Sequence, residues 1–164
     1  EFLKDEDGNT YTIDELKKLG ITIITPSVEA NSELLQELIN NSTLPTQLIA
    51  YGAMVLMNSS YCLLGKTNNC YPECKMGCKS SNTYYLKDRL GFKFRIMPDN
   101  IQTVTSIYNS KITSIDTTPF NVDSVRIDIL DENIDEINNI VQVVKSGKKL
   151  SGNQYANGNL HKNI

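Results

Sequence analysis

Short β-branched runs alternate with segments of helical hydrophobic period along this chain. Residues 21–25 and 47–51 are two continuous apolar runs, which are typical of strands buried on both faces. Between them, apolar residues recur at helical spacing from 34 to 39, and Asn31 or Ser32 can cap that helix. A strand, a helix and a strand in close succession predict a βαβ unit with a parallel sheet and a right-handed crossover.

The rest of the pattern predicts five further strands and two further helices. The predicted strands are residues 83–87, 92–97, 104–108, 111–115 and 125–129, the last of them strongly buried. The first two flank Asp88-Arg89-Leu90-Gly91 and so predict a β-hairpin, and Asn109-Ser110 is predicted as a turn. A short helix is capped by Asp14, and the final helix runs from Ile134 to a stop near Gly147.

These βα units, interrupted by a cysteine-bearing hairpin, predict an α/β fold built like a TIM barrel. A complete eight-fold barrel needs about 250 residues, so the 164 residues suit its C-terminal part. We expect one domain over 1–164, with the cysteine loop and hairpin inserted at 52–97. The tail at 151–164 is either mobile or part of a site. Since Glu1 leads directly into a patterned segment, we expect a fragment of a longer protein.

Four cysteines carry the most specific chemical signal. They are Cys62, Cys70, Cys74 and Cys78, separated by seven, three and three residues, and no other cysteine occurs. Four thiolates that meet at one point bind a soft metal ion or an iron–sulfur cluster. Zinc and a cubane cluster both accept four cysteines, so the spacing does not choose between them. Free structural thiols and a pair of disulfides are the alternatives.

Composition indicates a globular protein with an uneven charge distribution. Apolar residues make up 40% and charged residues 21%, and the net charge of −3 argues against a dedicated nucleic-acid-binding domain. Basic residues nevertheless concentrate in the hairpin, where residues two apart on a strand share a face. The basic positions are Lys87, Arg89, Lys93 and Arg95. They predict a patch that binds RNA weakly, and a solvated charged hairpin is the alternative.

This sequence shows no pattern for secretion or for insertion into a membrane. The 164 residues contain no signal-peptide pattern and no apolar run of membrane-spanning length. The expected location is the cytoplasm, where thiols stay reduced, and no membrane partner is expected.

Catalytic residues are less clear than the cysteines. The single histidine is His161 in the polar tail, and the chain has neither a HExxH helix nor a GxSxG elbow. Asp128, Asp131 and Glu132 lie at or just past the carboxyl end of a predicted barrel strand, where barrel enzymes place their sites. Arg126 shares a strand face with Asp128. Arg126, Asp128 and His161 are therefore the catalytic candidates, with a structural ion pair as the alternative for the first two.

Several stretches in this order resemble a known family. They are Tyr51-Gly52, Met54, Leu56-Met57, Tyr61-Cys62, Tyr84-Tyr85-Leu86-Lys87-Asp88-Arg89, Gly91, Ile107, Asn109-Ser110 and Arg126-Ile127-Asp128. The chain resembles family thirty-two of the peptidases of unknown catalytic type, the collagenase-like proteases. The likeness runs from about Gly20 to Arg126, and weakly to Gly158 and His161 in the tail.

The resemblance implies a TIM-barrel-like fold and a peptidase whose catalytic residues were never securely assigned. It also implies an alternative, since some relatives hydroxylate tRNA, ribosomal RNA or ubiquinone precursors with an iron–sulfur cluster held by cysteines. The family's peptidase signature lies upstream and is not found here, and Thr103 stands where many relatives have a further cysteine. Peptide or RNA is thus the expected substrate, and this chain alone is expected to be inactive. A zinc-stabilised structural subdomain is the third reading.

Overall fold

The computed structural model describes residues 11–65, 68–70, 73–75, 78, 82–99, 101–102 and 104–160. The chain forms two compact units, one made of Glu1–Gly52 with Thr113–Ile164 and the other of Ala53–Ile112. The described residues contain two four-stranded sheets and three helices. The predicted mixed α/β class is confirmed at this level, and the described strands close into no barrel.

The elements follow one another along the chain as helices α1–α3 and strands β1–β8. They are α1 Tyr11–Lys18, α2 Ser32–Asn41, β1 Gln47–Gly52, β2 Val55–Ser59, β3 Tyr84–Lys87, β4 Lys93–Asp99, β5 Val104–Tyr108, β6 Ile112–Ser114, β7 Ser124–Asp128, α3 Ile134–Lys145 and β8 Tyr155–Ala156. Most predicted segments are therefore present, with boundaries shifted by a few residues.

The first unit is built on a sheet with the strand order β7-β1-β6-β8. Strand β1 pairs in parallel with β7 and antiparallel with β6. Helix α2 covers the sheet with Leu35 and Ile39, which pack in one buried cluster with Leu48. As predicted, Asn31 caps α2, because its side-chain oxygen accepts a hydrogen bond from the amide of Leu34 over 2.9 Å.

The predicted strand at 21–25 is wrong, since only Ile24 pairs, through an isolated parallel bridge to Thr46. Two hydrogen bonds hold this bridge, from the amide of Ile24 to the carbonyl of Pro45 and from the amide of Gln47 to the carbonyl of Ile24. To extend the ladder in either direction, the parallel pattern would require the amides of Pro26 and Pro45. Proline has no amide N–H, so the pairing stops after one bridge.

The burial predicted for residues 125–129 is also wrong. Strand β7 is present, but Val125 is 38% exposed and Ile129 lies exposed just beyond its end. The reason is its place at one edge of the described sheet, where β1 is its sheet neighbour. An apolar run alone does not distinguish an edge strand from a central one.

Helix α3 has a strong cap at each end. Asn133 and Glu136 form a reciprocal capping box, and Ile140 and Val144 turn inward. The helix stops at the predicted Gly147, whose φ of 77° lies in the left-handed region. A Cβ at this position would lie 2.7 Å from Cγ2 of Thr118.

Gly147→Ala is expected to lower the free energy of unfolding by about 1–3 kcal/mol, because it adds backbone strain and a steric clash. Gly20→Ala is the matched control, since Gly20 has a φ of 87° but no atom within 4 Å of the added Cβ. Urea unfolding of both variants measures the difference. An equal loss in the two variants would show that the contact with Thr118 contributes nothing.

The second unit is an antiparallel sheet with the order β2-β5-β4-β3. The predicted hairpin is present as β3 and β4, and the carboxylate of Asp88 accepts hydrogen bonds from the amides of Leu90 and Phe92 across the turn. Strand β5, Val104–Tyr108, pairs with both β2 and β4 and therefore belongs to this unit. The unit is thus longer than the predicted insertion at 52–97.

The two strands predicted on either side of Asn109-Ser110 belong to different sheets. Strand β5 is in the second sheet and β6 is in the first. The amide of Asn109 donates to the carbonyl of Met54, which lies just before β2, and its side chain accepts from the amide of Lys111. These bonds direct the chain out of the second sheet rather than back along β5.

The tail contains the short strand β8 and is described as far as Leu160. His161 and the three residues after it lie outside the described residues. Within the described ranges, no helix has the length and apolar character needed to cross a membrane.

Candidate functional site

The cysteine loop joins β2 to β3, the two edge strands of the second sheet. Its first part is a tight backbone turn, in which the amide of Gly65 donates to the carbonyl of Cys62 and the amide of Cys70 to the carbonyl of Gly65. A side chain at Gly65 would fit tightly, since a Cβ there would lie 3.3 Å from the carbonyl oxygen of Cys62. The turn therefore brings the backbones of Cys62 and Cys70 together.

Asn68 connects two of the cysteines. The side-chain amide of Asn68 donates to Sγ of Cys78 over 3.7 Å. Sγ of Cys70 donates to the backbone carbonyl oxygen of Asn68 over 3.5 Å. The next residue, Asn69, has a φ of 54°, a left-handed conformation that asparagine tolerates better than most residues. The Asn-Asn pair before Cys70 was the sequence signal for this turn, and the sequence prediction did not use it.

All four cysteines are free thiols in the structure. Burial raises the pKa of the Cys78 thiol, and the charges of Cys62, Cys70 and Cys74 raise it further, against the opposing hydrogen bond from Asn68. Cys62, Cys70 and Cys74 are therefore close enough to Cys78 to affect its pKa. Among the described residues, however, no three His, Cys, Asp or Glu side chains are arranged to hold a metal ion, so the four-cysteine site stays a prediction.

Alkylation of the metal-free protein with iodoacetamide is expected to modify Cys74 first and Cys70 last. Cys74 is exposed, whereas Cys70 is only 6% exposed. Cys78 should react slowly near neutral pH and faster as the pH rises, because its raised pKa lowers the thiolate fraction. Peptide mass spectrometry over time gives the order. Simultaneous modification of all four would show that the loop does not hold this arrangement.

The two catalytic candidates on β7, Arg126 and Asp128, form an ion pair with each other. Nε of Arg126 lies 2.6 Å from Oδ1 of Asp128, and both side chains are partly exposed. This is the geometry of the structural ion pair considered above. The third candidate, His161, lies outside the described residues, so its pairing with a cysteine is not shown.

Glu132 has a role that the sequence did not indicate. The hydroxyl of Tyr51 donates to its Oε1 over 2.8 Å, and the amides of Leu130 and Asp131 donate to its Oε2. Burial and this hydrogen bond raise the pKa of Tyr51, so the phenol stays protonated. The ring of Tyr155 lies 6.4 Å from that of Tyr51. The cluster joins the carboxyl ends of β1 and β7 as a structural link.

The predicted basic residues divide into two groups. Lys87 and Lys93 are directly opposite each other in the β3–β4 register, and Arg95 is two residues further along β4, so all three share one face. Arg89 lies in the exposed turn instead, where strand alternation does not apply. The structure therefore brings together three of the four predicted residues.

One small cavity in the first unit lies beside Gly158, Thr113 and Ala30. Its volume is about 20 Å³, which is room for about one water molecule. It is too small for a peptide or a nucleotide.

Comparison of the chain with protein-family models, with curated proteins and with solved structures found no match in any of the three. The resemblance to the collagenase-like proteases therefore stays a prediction from the residues quoted above.

Proposed function

We propose that the Ala53–Ile112 unit holds one metal centre through its four cysteines. The supporting observation is the cysteine loop, in which the four thiols are free and Asn68 contacts the sulfurs of Cys70 and Cys78. Thiolates that lie close together repel one another, and a bound cation removes that penalty. The donors therefore fit zinc or an iron–sulfur cluster.

Coordination would require the four sulfurs to converge on one ion. Metal coordination commonly supplies folding free energy in this way, since ligands converge only when the ion is present. Zinc would stabilise the fold of the cysteine loop, which connects the two edge strands of the second sheet. An iron–sulfur cluster would add electron-transfer chemistry.

For the whole chain, we infer membership of the collagenase-like family and a barrel-like architecture. The parallel pair β1–β7, followed directly by α3, is consistent with βα units of a barrel. The antiparallel strand β6 departs from that pattern. Under this proposal, the remaining barrel strands come from the rest of a parent chain. A cytoplasmic location agrees with four reduced thiols.

The family offers two activities, peptide hydrolysis and RNA modification. A peptidase needs an activated nucleophile or a metal-bound water, and the described residues contain no complete nucleophile, base and orienting group. RNA modification is the second candidate, because the cysteine loop proposed to hold a cluster and three basic side chains on one sheet face lie in the same unit.

Metal analysis of protein purified without oxygen tests the centre. We expect either one zinc per chain in colourless protein, or about four irons per chain with visible absorbance. Replacing any one of the four cysteines by serine should remove the metal, whereas Lys75→Ala, an exposed control within the loop, should retain it. Absence of both metals after anaerobic reconstitution would contradict the proposal.

The chain by itself is expected to cleave neither gelatin nor casein at a measurable rate, because it lacks the upstream family signature and the described residues contain no complete nucleophile, base and orienting group. The assay compares the purified chain with a protein carrying Asp128→Asn. Robust proteolysis that this substitution abolishes would show that the pair is catalytic.

A further inference from the structure

The two faces of the second sheet differ in character. On one face, Ile96 and Ile107 are directly opposite each other and are 2% and 7% exposed, and Thr105 is buried beside them. On the other face, Tyr85 is directly opposite Arg95 and is 53% exposed. One face thus belongs to the core of the unit and the other is open among the described residues.

A row of planar groups crosses this open face. Tyr85 on β3 pairs with Arg95 on β4, and the β4–β5 register places Tyr108 next to Arg95 on β5. The hydroxyl of Tyr108 contacts Sδ of Met97 over 3.8 Å, and Met97 lies two residues from Arg95, on the same face. Neighbouring strands are about 4.8 Å apart, so the three positions follow one another across the face, and Nη1 of Arg95 donates to the carbonyl oxygen of Ile96 over 2.7 Å.

Positive charge surrounds this row. Nζ of Lys93 lies 6.0 Å from the centre of the Tyr85 ring, and Lys87 is opposite Lys93. The carboxylates nearest in sequence are engaged elsewhere: Asp88 accepts from two amides of the hairpin turn, and Asp99 from the amides of Ile101 and Gln102. Among the described residues, no carboxylate forms an ion pair with either lysine.

We propose that the open face of the β2-β5-β4-β3 sheet binds single-stranded nucleic acid. Tyr85, Arg95 and Tyr108 offer planar surfaces for unstacked bases, and Lys87 and Lys93 lie beside them for phosphates. A duplex hides the faces of its bases and would use only the charges. The side chains on this face also include Asn58 and Ser106, joined by a 2.7 Å hydrogen bond, which suit a polar ligand better than acyl chains.

This inference deepens the RNA-modifying candidate, because it names the form of nucleic acid and the face that takes it. It does not depend on the metal: Tyr85, Arg95 and Tyr108 lie on paired strands, outside the cysteine loop. Failure of metal binding and failure of nucleic-acid binding are therefore measured separately.

Fluorescence anisotropy of the full chain with labelled 12-nucleotide RNA and DNA single strands, and with a duplex of the same sequence, tests the proposal. We expect single strands to bind more tightly than the duplex at 50 mM salt. With about two phosphate contacts, affinity should fall about sevenfold by 200 mM salt. Absence of single-strand binding at 50 mM salt, or equal binding of the duplex, would overturn the proposal.

Two matched pairs of variants separate stacking from charge. Tyr85→Leu should weaken binding about tenfold, whereas Tyr85→Phe, which keeps the aromatic face, should bind nearly as the parent does. Lys87→Glu with Lys93→Glu should abolish binding, whereas Lys17→Glu with Lys148→Glu makes the same charge change in the first unit and should not. Circular dichroism checks that each variant is folded.

The remaining outcomes are equally decisive. Binding that is insensitive to Tyr85→Leu but lost with the two lysines would reduce the face to a general anion patch and overturn the stacking role. Binding to phosphatidylserine vesicles without binding to single strands would assign the face to a lipid surface instead.

Discussion

Tyr51→Ala is expected to lower the free energy of unfolding by about 3–5 kcal/mol, a large effect for a single side chain. Tyr51 is 1% exposed and is among the largest fully buried side chains of the described residues. Truncation leaves a cavity where the ring stood and removes the hydroxyl that donates to Glu132 over 2.8 Å. Urea unfolding of the full chain, followed by circular dichroism, measures the change.

Conservative variants divide this effect into its parts. Tyr51→Phe keeps the ring and removes only the hydrogen bond, so a loss of about 1 kcal/mol is expected. Glu132→Ala leaves the buried hydroxyl and the amides of Leu130 and Asp131 without their acceptor, which should cost about 1–3 kcal/mol. If Tyr51→Ala cost no more than Tyr51→Phe, packing of the ring would be excluded as the main contribution.

Metal binding is expected to stabilise the protein by about 4 kcal/mol when the free metal concentration is a thousand times the dissociation constant. The reason is that the proposed site would form only in the folded chain, so the metal would bind the native state in preference to the unfolded one. Thermal unfolding with and without a chelator measures the shift in midpoint.

The cysteine variants provide the control for this prediction. Cys62→Ser and Cys74→Ser should remove the sensitivity to chelator, while Lys75→Ala should retain it. The midpoint of the Cys74→Ser protein without metal should stay close to that of the parent without metal, since Cys74 is exposed. A parent protein loaded with metal that unfolds at the same temperature with and without chelator would contradict the stabilising role.

The side chains described above differ between the two units. In the first, Tyr51 and Glu132 join the ends of the parallel strands, and Arg126 and Asp128 are paired with each other. The second contains the cysteine loop and the open sheet face, on which both the metal proposal and the nucleic-acid proposal rest.

Local signals in the sequence were enough to predict helices α2 and α3 and the hairpin, whereas the cap predicted at Asp14 is wrong, because α1 begins at Tyr11 and contains Asp14. Asn31 before α2, and Gly147 after α3, act within one turn of the backbone, so the pattern alone located both helices. Asp88-Arg89-Leu90-Gly91 predicted the β3–β4 turn for the same reason. The shared side of Lys93 and Arg95 also followed from spacing alone.

Only the tertiary structure decided which strands pair and which faces are buried. The run at 21–25 has the composition of a strand, but the missing amides of Pro26 and Pro45 limit it to one bridge. Strand β7 is exposed because it is at a sheet edge. The registers of β3, β4 and β5 place Tyr85, Arg95 and Tyr108 side by side on one face of the second sheet. Pairing joins residues far apart in sequence, and no local pattern of apolar and polar positions contains that information.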